Sequence, residues 1–174
     1  MRVGFVLAVV CGAVVLAGCG SESVSGQAAP EGSAAGEPVF SPCDDLPDDA
    51  IRAVGMDPAT ESRDILGVHQ PGWNLCRWNN STHFLRVYSS TFTLDDVRRN
   101  DDFEEFAPVD LGGREAVTFR DVADRERLWC DVATTSAGGA VMVSISESGP
   151  DPAVEEPCAV ALQTARTLLP HIPE

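Results

Sequence analysis

Lysine is absent from this chain: all twelve basic residues are arginine, set against 27 aspartates and glutamates for a formal net charge of −15. A surface of that sign repels phosphate backbones and gains nothing from counterion release, which argues against nucleic acid as a partner. Histidine is scarce too. His69, His83 and His171 stand apart, with no H-E-x-x-H or H-x-H pair, so no metal site is expected. No G-x-S-x-G, S-x-x-K or G-x-x-x-x-G-K-[ST] stretch occurs, which leaves no local signature for a serine nucleophile or a phosphate loop. C-x-x-C is also missing, and with it the thioredoxin-type redox pair and the zinc knuckle.

Carboxylates are abundant but do not form a recognisable site. The clusters Asp44, Asp45, Asp48, Asp49 and Asp101, Asp102, Glu104, Glu105 do not follow the D-x-[DN]-x-[DN]-G calcium loop. The first of them sits at an expected helix start, where acidic groups complement the dipole. Neither a cofactor nor a catalytic residue is therefore expected. The all-arginine usage, with abundant Ala, Gly, Val, Asp and Pro, is what GC-rich codons give. It also favours forked Arg–carboxylate pairs, each worth only ~0–1 kcal/mol at a surface.

What is present begins with an export signal. Met1-Arg2 gives a short positive start, Val3 to Val15 an apolar run, and Leu16-Ala17-Gly18-Cys19 a small-residue cleavage site directly before a cysteine. This is a lipobox: residues 1–18 are expected to be removed and Cys19 to carry a diacylglyceryl group. The apolar run is too short and too interrupted by glycine for a spanning helix, and no basic stop-transfer cluster follows it. Cys11 is expected to leave with the signal. Several acyl chains at ~0.8 kcal/mol per buried methylene hold a protein far more firmly than one myristoyl chain. The expected location is the outer, extracytoplasmic face of the cell membrane, with the membrane itself as a partner through Cys19. Arg2 is the only charge before Cys19, so the mature chain keeps eleven arginines against 27 acidic residues, a net charge of −16.

Gly20 to Pro38 is a Gly/Ser/Ala/Glu/Pro tract whose one larger aliphatic residue is Val24, the composition of a flexible tether with a reach of about 25 Å. Residues 39–174 are expected to form a single globular domain. Cys43, Cys76, Cys130 and Cys158 survive processing, and an even number in an exported chain reads as two disulfides.

Helices are expected at Asp45 to Val54, at Thr93 to about Asn100 behind a T-x-x-D capping box, and after Pro157. In the last, Cys158, Ala161, Leu162, Ala165, Leu168 and Leu169 form one apolar stripe. Six strands are expected: Asn74 to Asn79, Thr82 to Ser90, Phe106 to Leu111, Arg114 to Asp121, Leu128 to Thr135 and Ala140 to Glu147. Gly112-Gly113 and Gly138-Gly139 sit at hairpin turns. The order lacks a βαβ rhythm. It indicates an α+β fold, an antiparallel sheet of about six strands packed by two or three helices and held by two disulfides. Cys130 alternates with Leu128 and Val132 toward the core and Cys158 lies on the helix stripe, so the expected bridges are Cys130–Cys158 and, by the same logic, Cys43–Cys76.

Phe40-Ser41-Pro42-Cys43-Asp44 after the tether, Cys76-Arg77-Trp78 in the first strand, Cys130 in a later one and Glu156-Pro157-Cys158 opening the last helix carry a resemblance. The chain resembles, over nearly all of its mature length, the actinobacterial lipoproteins grouped as domain of unknown function 3558. That resemblance implies a mycobacterial-type cell-envelope lipoprotein, with no established activity and no catalytic residue to carry over. The expectation is a non-catalytic binding or accessory module, not an enzyme, whose partner is a protein, a glycan or a lipid of the envelope. A carrier of a lipid or small hydrophobic ligand between sheet and helices is the alternative, and a carboxylate-based hydrolase comes third. Trp78 shares a face with Cys76 and is expected in the core. Trp73, after Pro71-Gly72, is expected in a loop and is the candidate contact surface.

Mass spectrometry of the membrane fraction should find Cys19 as the mature N-terminus, bearing a diacylglyceryl group, and Cys19→Ala should leave the precursor uncut. A soluble, unmodified mature protein would contradict the lipobox reading.

Overall fold

The computed structural model describes residues 36–148 and 155–174. The signal peptide, Cys19 and the tether up to residue 35 lie outside them. No helix among the described residues is long and apolar enough to cross a membrane. The chain runs α1 (Pro42–Asp45), α2 (Asp48–Ala53), β1 (Asp57–Arg63), β2 (Trp73–Asn79), β3 (His83–Ser90), α3 (Leu94–Arg98), β4 (Phe103–Leu111), β5 (Arg114–Asp121), β6 (Trp129–Ser136), β7 (Gly139–Glu147) and α4 (Pro157–Leu168), which ends in a 3-10 turn at Leu169–His171. The strands form one antiparallel sheet in the order β1-β2-β3-β7-β6-β5-β4.

The sheet has seven strands where the sequence indicated about six. β1, with the sequence DPATESR, shows no apolar alternation and contains a proline, so nothing in its pattern marks it as a strand. It is an edge strand bonded only to β2 through an irregular register, the setting in which a missing N–H is tolerated. The expected first helix is two helices. Pro47 caps α2 in an extended conformation, so Pro42–Asp45 turns separately before it. α3 keeps its capping box, with Thr93 Oγ1 accepting from the Asp96 amide and Asp96 Oδ2 from the Thr93 amide. Trp73 opens β2 and does not sit in a loop.

The two glycine pairs do different work. Gly112 and Gly113 form the two-residue β4–β5 turn, both at positive φ (+66° and +88°), as a primed turn requires. In the second pair only Gly138 (φ +80°) belongs to the turn, because Gly139 already pairs with Ser136 in the ladder. A Cβ on Gly139 would stand 1.9 Å from the Ser90 carbonyl oxygen, so glycine is needed there for the close approach of β7 to the end of β3.

α1, α2 and α4 cover one face of the sheet. Phe40, Leu46, Ile51, Trp78, Leu85 and Val87 belong to that core together with Val132, Val143, Ile145, Ala161 and Leu168. The stripe on α4 faces it as expected, with Ala161, Ala165 and Leu168 fully buried and Cys158, Leu162 and Leu169 at its margin. The opposite face carries a second cluster that strand alternation did not reveal. Leu94 and Val97 of α3 pack there on Val117, Phe119, Ala133 and Met142. β7 is buried from Ala140 to Ser146 because it lies in mid-sheet under both layers.

Cys43 is bonded to Cys76 and Cys130 to Cys158, so each bridge ties a helix of the covered face to a strand. Beside the second bridge a buried arginine is tied to carboxylates at the surface. Arg120 on β5 donates to the Glu156 carboxylate at the α4 N-cap and to the backbone carbonyls of Arg127 and Trp129, with Glu105 and Asp124 within 4.0 Å. Glu156 in turn accepts from the Ala159 amide at 3.0 Å. Loops of 33 and 28 residues correspond to about 3–4 kcal/mol each in the chain-entropy account. Cys130→Ser with Cys158→Ser should cost about 3 kcal/mol in chemical denaturation, and an unchanged midpoint would show that the bridge does not close in solution.

Candidate functional site

Gln70 to Trp73 closes a tight turn, with the Trp73 amide donating to the Gln70 carbonyl at 3.0 Å and the Thr91 amide to the Gly72 carbonyl at 3.1 Å. Gly72 lies at φ +81°, with Thr91 Oγ1 3.1 Å from where a Cβ would be, so glycine both makes the turn and lets it sit against the end of β3. The Trp73 ring is thereby held on the sheet face opposite α4, edge-on to Tyr88 at 6.4 Å and 5.6 Å from Phe92. Across the sheet Leu75 pairs with Tyr88, Tyr88 with Met142, Met142 with Ala133 and Ala133 with Val117, an apolar row along the floor. Phe103 and Phe106 lean on Phe119 at 4.7 and 5.4 Å and form the far wall.

Three cavities meet at Trp73. One of about 330 Å³ runs under α3 by Phe92, Val97 and Phe103, and one of about 380 Å³ lies by Ile65, Val68, Leu75 and Tyr88. A deeper one of about 190 Å³ is lined by Trp73, Tyr88, Phe103 and Phe119 and carries Asp121, Asp131 and Ser144. The loop between β1 and β2 adds an apolar rim. Ile65 and Val68 are more than half exposed, and Leu66 is 95% exposed at a positive φ of 55°, strained and without a partner side chain to explain it.

Three groups lining these cavities have displaced titrations: burial raises the Tyr88 hydroxyl, hydrogen bonding with Thr93 holds Asp96 down at about 2, and the third is Asp131. Burial pushes its carboxyl up to about 6; the Ser144 hydroxyl and the Arg86 guanidinium pull it down, and Asp121 and Asp124 add to the rise. Arg86 itself lies over the Trp129 and Phe84 rings at 5.3 and 5.8 Å and donates to Ser146 Oγ at 3.0 Å. The sequence placed Asp131 on a polar strand face between Cys130 and Val132. It is partly buried because α3 and the aromatic residues cover that face, which no local pattern could show.

The other residues weighed from sequence do not converge. His69 lies between Glu37 and Asp64 in an exposed loop, 3.3 and 3.8 Å from their carboxylates. His83 sits on β3 with Nδ1 3.0 Å from Thr82 Oγ1, and His171 belongs to the C-terminal turn. Asp44 pairs with Arg63 and Asp48 with Arg52, while Glu105 pairs with Arg127. Among the described residues one set of potential metal donors clusters, Cys43, Glu61 and Cys76, but both sulfurs are spent in a disulfide and offer no thiolate. Trp78 is in the helix-side core, 1% exposed, as expected.

The model of the family described as protein of unknown function (DUF3558) matches residues 14–171. No curated protein matches the chain, and no solved structure does.

Because Asp131 titrates above its ordinary value of 3.8, its ionised form opposes folding. That opposition is absent below about pH 4, grows between 4 and 6, and is complete above about 6. Asp131→Asn should therefore match wild type in denaturation at pH 4 and exceed it at pH 7.5 by up to about 3 kcal/mol. An equal difference at both pH values would contradict the assignment.

Proposed function

The chain belongs to the DUF3558 family of proteins of unknown function, and we propose that it is a lipid-anchored, extracytoplasmic binding module that works without catalysis. Anchoring rests on the lipobox at Leu16-Ala17-Gly18-Cys19. Binding rests on one observation above the others: Trp73 stands where three cavities meet, on the sheet face that α1, α2 and α4 leave free. Two of these cavities reach the ~300 Å³ at which ligand pockets begin. The exposed tip at Ile65, Leu66 and Val68 extends the apolar surface at the groove's edge. The partner is an envelope component that lays an apolar or aromatic portion along this groove.

A carboxylate hydrolase is the second reading, since Asp121 and Asp131 share a cavity and Asp131 is pushed up to about 6. Its volume of about 190 Å³ favours a small group over a glycan with its attacking water. A carrier with its ligand between the sheet and α4 finds little room, because that interface is filled by the larger core.

The test is a pull-down of the lipidated protein from its native envelope, read for proteins and for extractable lipids, beside Trp73→Ala. A partner reproducibly lost with Trp73→Ala supports the binding module. A stoichiometric co-purified lipid retained by Trp73→Ala, or turnover of an envelope glycan by the purified protein, would overturn it.

A further inference from the structure

The cavity of about 190 Å³ combines two features that seldom share a wall. Trp73, Tyr88, Phe103 and Phe119 present aromatic rings to it, and Asp121 and Asp131 bring carboxylates. Among the described residues seven arginines pair with carboxylates, yet none comes within 4.0 Å of either of these two. The nearest candidate, Arg86, is engaged with the Trp129 and Phe84 rings and with Ser146. Asp121 accepts from the Ala123 amide at 2.7 Å, and Asp131 has the Ser144 hydroxyl as its hydrogen-bond partner, with the Arg86 charge acting on it from beyond ion-pair distance.

An anion would meet ring quadrupoles and carboxylates of its own sign. A neutral apolar ligand would strip water from both carboxylates and leave them without a partner. An organic cation is attracted by both walls at once, to the ring faces by the quadrupole and to the carboxylates by charge. The chain's net charge of −15 draws the same class of ligand from a distance.

We propose that this cavity binds the head of a small organic cation, a quaternary ammonium or protonated amine with an apolar substituent, seated between Asp121, Asp131 and the Trp73 and Tyr88 rings. The substituent leaves along the groove past Leu75 and Phe92. The assignment rests on the reading as a binding module and names its ligand class. Asp131 supplies a further signature, because its carboxylate is lost on acidification through about 6. The charged or titratable groups around it are Arg86 and Tyr88 of β3, Asp121 of β5 and Asp124 of the following turn, with Asp96 and Arg99 of α3 in the adjoining cavity.

The experiment titrates the mature protein with benzyltrimethylammonium, its uncharged carbon isostere neopentylbenzene, and phenylacetate, reading the tryptophan indole resonances. The cation should bind at least about tenfold tighter than neopentylbenzene, and phenylacetate should not saturate. Asp131→Asn and Asp121→Asn, both nearly isosteric, should each weaken the cation about fivefold or more while thermal melts show a folded domain. Lowering the pH from 7.5 to 5 should weaken it in wild type but not in Asp131→Asn. Equal binding of cation and isostere, or an unchanged affinity in both variants, would overturn the proposal. If the cation fails while Trp73→Ala still loses its envelope partner, the ligand class falls and the binding module stands. If the cation binds as expected but no envelope partner depends on Trp73, the ligand class holds and the wider reading falls.

Discussion

The attachment of α4 to β5, β6 and β7 is the constraint on which the remaining architecture depends. An antiparallel sheet can leave one face to water, but a seven-stranded one with Val87, Val132, Val143 and Ile145 on a single face must close that face. α4 does so with a stripe of small residues, Ala161 and Ala165, that lets it lie close. Its start is fixed three times over: by Pro157 in the first turn, by Cys158 bonded to Cys130, and by Glu156 held by the buried Arg120. Arg120 is 5% exposed, and such a charge persists in a core only when it is paired and hydrogen-bonded, as it is here by three hydrogen bonds and three neighbouring carboxylates. α1 repeats the device at the other end through Cys43 and Cys76.

With one face sealed in this way, the other needs only partial cover. α3 is five residues long and caps a smaller cluster, so the sheet surface between it and the β1–β2 loop stays open. That opening is where Trp73, Tyr88, Phe92 and Phe103 collect. The chain is poor in aromatics, at 6%, and gathers a large share of them on this one surface. Helix-side rigidity and the groove are thus two consequences of the same layering.

Charge follows a consistent division. Asp44 accepts the fork of Arg63, Asp96 closes the Thr93 capping box and accepts once from Arg99, and hydrogen bonding holds both at about 2. Asp131 departs in the opposite direction because burial outweighs its neighbours. The same residue type is stabilising at the surface and costly in the groove, and only its surroundings separate the two.

Local chemistry determined much of this from sequence alone. The Thr93–Asp96 capping box, the apolar stripe after Pro157, the Gly112-Gly113 turn and the core position of Trp78 are all short-range patterns whose physics acts within a few residues. The α+β class and the two cysteine pairs followed from them, because alternation places Cys130 toward the core and the helix stripe places Cys158 against it. Tertiary structure decided the rest. β1 has no alternation to read, since this edge strand is recruited by the unpaired groups of β2 and by polar contacts of Thr60 and Arg63, not by an apolar face of its own. Gly139 looks like a turn residue until β3 is laid beside it. The groove was marked in sequence by Trp73 alone, because its floor comes from β2, β3, β7 and β6 and its cover from α3. Which polar strand face becomes buried depends on what packs over it, and that is a long-range choice that no window of sequence contains.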